Sequence, residues 1–202
     1  MAILISACRT SDEQRPVLVQ PGAPGETTRT ITARQAVDLS LLEPTAADVR
    51  FMQGMIGHHA QALEMTALLP SRTSRDDMRL LARRIELSQA DEIAAMQRWL
   101  KTHGQTIPDL HAHHAHGSTL MPGMLTAEEM GRLAAATGGE FDRLFLEFMI
   151  RHHDGALVMV SDLFSTEGAG QEPEIFAFAS DVDADQRIEI DRMSAMLLEI
   201  RK

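Results

Sequence analysis

Two pairs of adjacent histidines are the residues of this chain best suited to chemistry. His58 and His59 stand in FMQGMIGHHAQALEM, residues 51–65, and His152 and His153 stand in FLEFMIRHHDGALVM, residues 145–159. The second stretch repeats the first 94 positions later, with eight of fifteen residues identical. Neutral imidazole binds copper, zinc, iron and nickel, whereas thioether sulfur selects soft ions such as Cu(I). Methionines flank both pairs at the same offsets: Met55 and Met65 around the first, Met149 and Met159 around the second. One such stretch is an ordinary apolar helix with histidines in it. Two in register point to a duplicated unit whose chemistry lies in the repeated residues.

Helical spacing gathers these groups. Phe51, Met55, His58, Ala62 and Met65 follow steps of four and three and share one stripe, with His59 on the neighbouring stripe. The second copy does the same with Phe145, Met149, His152, Ala156 and Met159. A histidine on such a stripe is also well served by a hydrogen bond to a core carboxylate, which Glu92 and Glu189 can supply. The matched Met–His sets favour metal binding over that reading. Dinuclear iron bundles use Glu-x-x-His. Here Met55-x-x-His58 and Met149-x-x-His152 put a thioether where those proteins have a carboxylate. Copper, as Cu(I), is the metal most consistent with that set, with silver and zinc as the other candidates. Glu92, Glu189, Met96 and Met193 on partner helices can complete the sites.

A second cluster lies between the repeats. His103, His111, His113, His114 and His116 precede Met121 and Met124. Alternating His and Ala resembles a short metal-binding tract, to be weighed against a polar loop whose histidines bind nothing. Weak binding of Cu(II) or Zn(II) is expected there.

The repeats need four long helices to present them. Thr45 with Asp48 reads as a capping box for a first helix that stops at Pro70. A second helix is expected from Ser74 to about His103, ending at Gly104. A loop then spans 105–125, and TAEE at 126–129 caps a short helix ending at Gly138. Two further long helices are expected over about 140–165 and 173–201. Gln89-x-x-Glu92-Ile93-x-x-Met96 recurs as Gln186-x-x-Glu189-Ile190-x-x-Met193, so the second helix of each pair is repeated too. Two packed helix pairs make an all-α four-helix bundle, a single domain over residues 41–202. It comprises repeat one at 45–103, the His-rich loop at 104–125 and repeat two at 126–202.

With 202 residues and 44% hydrophobic content the chain can build one sizeable core. A net charge of −10 disfavours nucleic acid, whose phosphates need a basic surface. The single cysteine, Cys8, forms no internal disulfide. Its context, Ile5-Ser6-Ala7-Cys8, resembles a lipobox, although none of the seven preceding residues is basic. Residues 1–40 therefore read as a signal remnant followed by a flexible tether rich in Pro, Gly, Thr and Arg. A lipid on Cys8 would anchor that tether to a membrane.

MPGMLT at 121–126, FDRLFLEFMIRHHDGALVM at 141–159 and the stretch at 51–65 resemble the bacterial domain-of-unknown-function family 305. The resemblance covers about residues 45–202. It implies a ferritin-like four-helix bundle, exported to the periplasm or cell surface and often lipid-anchored, with links to copper binding and tolerance. The His-rich loop departs from that pattern. The expected function is capture or buffering of copper outside the cytoplasm by Met55, His58, His59 and Met65 in one half and Met149, His152, His153 and Met159 in the other. The alternatives are a ferritin-like metal-dependent redox enzyme, which would draw carboxylates from Glu92, Glu189, Glu64, Asp48 and Asp142, and a purely structural helical module. No nucleophile–base arrangement, phosphate loop or Cys-x-x-Cys is present.

Overall fold

The computed structural model describes residues 18–20, 28–37, 43–111 and 120–200. The chain divides into two compact units, Met1–Leu41 and Leu42–Lys202. In the first unit, strands β1 (Leu18–Gln20) and β2 (Arg29–Ile31) pair antiparallel with Leu18 opposite Ile31, and helix α1 covers Ala33–Val37. These elements fall within the stretch expected as a tether. Cys8 lies outside the described residues.

The second unit is all-α. Its long helices are α2 (Ala46–Thr66), α4 (Asp76–Thr102), α6 (Gly138–Ser165) and α7 (Pro173–Ile200), joined by the short helices α3 (Leu69–Arg72) and α5 (Ala127–Ala135). Helix α2 packs on α4, α6 on α7, and α2 on α6. The capping box at Thr45 is present: its hydroxyl accepts from Asp48 N, and Asp48 Oδ2 accepts from Thr45 N at 2.6 Å. Asp48 also accepts from Gly170 N at 2.7 Å, tying the start of α2 to the α6–α7 turn. Thr126 and Glu129 form the second box, at α5.

Three boundaries differ from the expected ones. Helix α2 ends at Thr66, and Pro70 sits in the first turn of α3, where its missing N–H leaves no gap. Helix α4 starts at Asp76 rather than Ser74, because Thr73 Oγ1 turns the chain by accepting from Arg75 N. Gly138 does not end α5, which stops at Ala135, but opens α6 with φ of 58°.

The core falls into two apolar blocks. One holds Phe51, Met55 and Ile56 of α2, Ile93, Met96 and Leu100 of α4, Ala156 and Val160 of α6, and Ile175 and Val182 of α7. The other holds Ala62 and Met65 of α2, Met78 and Ile85 of α4, Phe141 and Met149 of α6, and Met193 of α7. Helices α2 and α7 therefore run from the first block to the second, while α4 and α6 run back. Swapping the two repeats swaps the two blocks, which is the pseudo-twofold symmetry that the duplicated sequence requires.

Candidate metal centre

Between the two blocks every long helix contributes polar residues at the same level. These are His58 and His59 from α2, Gln89 and Glu92 from α4, His152 and His153 from α6, and Gln186 and Glu189 from α7. All four histidines are fully buried, Gln89, Gln186 and Glu189 nearly so, and Glu92 keeps its edge in solvent. A buried polar layer costs stability unless its groups find partners. The pattern of partners found and partners missing defines the site.

The outer histidines are matched. His59 Nε2 donates to Glu92 Oε2 at 2.5 Å, and His153 Nε2 donates to Glu189 Oε2 at 2.7 Å. Glu92 also accepts from Ser88 Oγ, and Arg84 lies 3.5 Å from Glu189. With Nε2 carrying the proton, Nδ1 of each ring holds a lone pair, and neither His59 Nδ1 nor His153 Nδ1 has a hydrogen-bond partner among the described residues. The inner pair meets at the pseudo-twofold axis, with the His58 and His152 ring centroids 3.9 Å apart. His58 Nε2 donates to Pro122 O at 3.0 Å. Among the described residues neither His152 ring nitrogen has a well-formed hydrogen-bond partner, and both amide atoms of Gln89 and Oε1 of Gln186 also go without. Burial, reinforced by the neighbouring imidazoles of His58, His153 and His59, holds the His152 pKa well below that of a free histidine. His152 is therefore neutral near pH 7.

The thioethers are arranged across the repeats, not within them. Met55 and Met96 share one block, with Met159 packed against it. Met65, Met149 and Met193 share the other. Each block beside the histidine layer thus holds methionines of both repeats, whereas the expected sets drew each group from one repeat. Met159 is only half-buried, while Met55, Met65, Met96, Met149 and Met193 are fully enclosed. Among the described residues no three His, Cys, Asp or Glu side chains converge in metal-holding geometry. The donors that the layer offers are imidazoles backed by thioethers, not a carboxylate cage. That chemistry, together with the orphaned nitrogens, fits a soft ion.

The MPGML stretch, read from sequence as part of the loop, closes one side of the layer as a strap. Residues Met121–Leu125 cross α2 and α6 beside His58. Gln61 holds the strap with two hydrogen bonds, Nε2 to Leu125 O at 2.9 Å and Oε1 from Leu125 N at 2.7 Å. Gly123, at φ of 75°, lies against Gly155 of α6 so closely that a Cβ on Gly155 would stand 2.0 Å from Pro122 O and 2.7 Å from Gly123 Cα. The proline carbonyl that receives His58 is fixed by these contacts.

Of the loop histidines, His103 and His111 lie among the described residues. His103 Nδ1 donates to Trp99 O at the end of α4 and its ring stacks on the Trp99 indole. His111 pairs with Glu64 at 3.1 Å on the surface. His113, His114 and His116 lie outside the described residues. Asp48 caps α2, and Asp142 lies buried near the start of α6. Of the carboxylates considered for a redox centre, only Glu92 and Glu189 bond to the paired histidines.

No curated protein matches the chain. A DUF305 fragment from Deinococcus radiodurans superposes with a TM-score of 0.66 at 33% identity, covering 78% of this chain and 99% of that one. A candidate secreted DUF305 protein from Streptomyces coelicolor gives 0.64 at 28% identity, with coverage of 76% and 93%. CopM in its Cu(I)-bound form gives 0.60 at 28% identity, with coverage of 75% and 96%, and CopM is also similar in Cu(II)-bound and Ag-bound forms. The model of the family called Domain of unknown function (DUF305) matches residues 48–197, and the chain belongs to that family.

Proposed function

We propose that this protein captures copper as Cu(I), outside the cytoplasm, on the imidazole and thioether groups around the histidine layer, and buffers it or passes it on. The observation that carries this reading is the paired arrangement of His59 with Glu92 and His153 with Glu189. Metal-bound histidines commonly donate their second ring N–H to a carboxylate, which fixes the tautomer and strengthens the other nitrogen as a ligand. Here that second interaction is made twice, at symmetry-related positions, and each Nδ1 is left without a hydrogen bond. Glu92 and Glu189 then orient ligands rather than serve as them. Met55, Met65, Met149, Met159, Met96 and Met193 supply soft donors from the two adjoining blocks. CopM, which binds Cu(I), Cu(II) and Ag, and the secreted relative support the metal class and export. Silver shares the Cu(I) ligand preference. Zinc would use the imidazoles without the sulfur. His111, His113, His114 and His116 would recruit ions before they reach the bundle. A lipid on Cys8 would hold the protein at a membrane. A dinuclear redox centre is less well supported, because Asp48 and Glu64 are engaged in capping and in the His111 pair.

The test is anaerobic Cu(I) titration of the full chain against a competing chelator, with Zn(II) in parallel. The parent should retain Cu(I). A chain with His58, His59, His152 and His153 all changed to Ala should stay helical and lose most of that capacity. Unchanged Cu(I) stoichiometry in the variant would remove the proposal.

A further inference from the structure

Resting on that copper reading, we infer that Met121 and Met159 form a one-sided thioether port through which soft cations load, set against the outside of α2 beside His58. Two glycines mark the place. A Cβ placed on Gly54 would stand 3.2 Å from Met121 Sδ and 3.4 Å from Met159 Cε, and one on Gly57 would stand 3.5 Å from Met121 Cε. Two thioether ends therefore converge on one point of the helix surface, where the missing side chains leave a floor for them. Both methionines are half-buried, so their sulfurs are nearer solvent than those of Met55 and Met149. Met159 also opens onto a surface recess lined by Arg50, Phe51 and Asp162.

The port is coupled to the buried layer by one peptide. Met121 precedes Pro122, whose carbonyl receives His58 Nε2. The strap that carries both is pinned by Gln61 and by the Gly123–Gly155 contact.

Among the described residues the second repeat shows no such port. The positions matching Gly54 and Gly57 are Phe148 and Arg151. The Arg151 guanidinium lies 5.2 Å over the Phe148 ring and pairs with Glu129, so that face is closed by a cation and an aromatic ring. Met65, the counterpart of Met159, is fully buried. Loading from the strap side alone follows from this asymmetry. In the step itself a hydrated d10 cation exchanges water for two sulfurs, with no change of oxidation state.

The experiment uses the full chain labelled with 13C at the methionine methyls and titrated with Ag(I), a redox-inert soft cation. The Met121 and Met159 methyls should respond first, below one equivalent, and Met121→Leu should abolish the early Met159 response without altering helicity. Early shifts at Met55 or Met149 with Met121 and Met159 unmoved would overturn the port and leave the copper reading standing. No methyl shift at any Ag(I) level, with no Cu(I) retained in the chelator competition, would overturn both.

Discussion

Gly155→Ala tests how tightly the strap is built onto the histidine layer. The new Cβ would meet Pro122 O at 2.0 Å and Pro122 C at 2.4 Å, whereas ordinary contact begins at 3.4 Å. The obstructing atoms are backbone, and Gln61 and Gly123 hold that backbone from both sides, so no flexible side-chain tip can move aside. Overpacking of this kind costs about 1–3 kcal/mol. A strap forced outward also weakens the Pro122–His58 hydrogen bond, worth about 1 kcal/mol. The better helix propensity of Ala recovers about 1 kcal/mol. The net loss is about 1–3 kcal/mol, and a unit of this size loses roughly 2–4 °C per kcal/mol, so melting should fall by roughly 2–12 °C. Gly139→Ala is the control. It lies in the first turn of α6 with nothing within 4 Å of its Cβ, so its melting temperature should stay at or above that of the parent. Thermal melts followed by circular dichroism compare the two. A G155A chain that melts as high as the parent would refute the close packing of the strap.

Other perturbations reach the same architecture from different sides. Gln61→Leu removes both bonds to Leu125 and leaves its buried N–H and C=O without partners, so urea denaturation should show a loss of roughly 2–4 kcal/mol. Glu189→Gln keeps the shape beside His153 but removes the charge, and chelator competition should show Cu(I) affinity falling about 10–100-fold with helicity intact. The Arg151 guanidinium holds the Glu129 carboxyl down to about 2 from an ordinary 4.5. A lowered carboxylate contributes its full stabilisation above pH 4.5 and loses it as the pH falls towards 2. Arg151 is 44% exposed, so solvent screening limits the effect to about 1 kcal/mol. An E129Q chain should accordingly be less stable at pH 7 and show a shallower stability loss between pH 4.5 and 2 in denaturant titrations.

The parts of this protein that were legible in its sequence are those governed by local periodicity. The duplicated His-His stretches gave the inward faces of α2 and α6, and the Gln-x-x-Glu repeats gave their partners on α4 and α7. Thr45 with Asp48 and Thr126 with Glu129 announced helix starts because a capping box spans only four residues. Residues whose roles depend on distant chain were not legible. Gln61 looks like any polar residue on a helix until Leu125, 64 positions later, takes both ends of its amide. Gly155 looks like a weak point in α6 until Pro122 is laid on it. The methionine grouping was misjudged for the same reason. Periodicity puts Met55 and Met65 on one face of α2 about 15 Å apart, and only the antiparallel course of α6 decides which methionines of the other repeat join each of them.

The proposed binding mode presents Nδ1 of His59 and His153 to Cu(I) while Nε2 stays bonded to carboxylate. Nitrogen-15 NMR of the labelled imidazoles measures this directly, because Cu(I) is diamagnetic and the two ring nitrogens resolve. Anaerobic addition of Cu(I) should move the Nδ1 resonances of His59 and His153 to metal-bound positions and leave their Nε2 signals protonated. Retention of Cu(I) by the protein with both Nδ1 resonances unmoved would contradict the account and return these histidines to the role of hydrogen-bonded core residues.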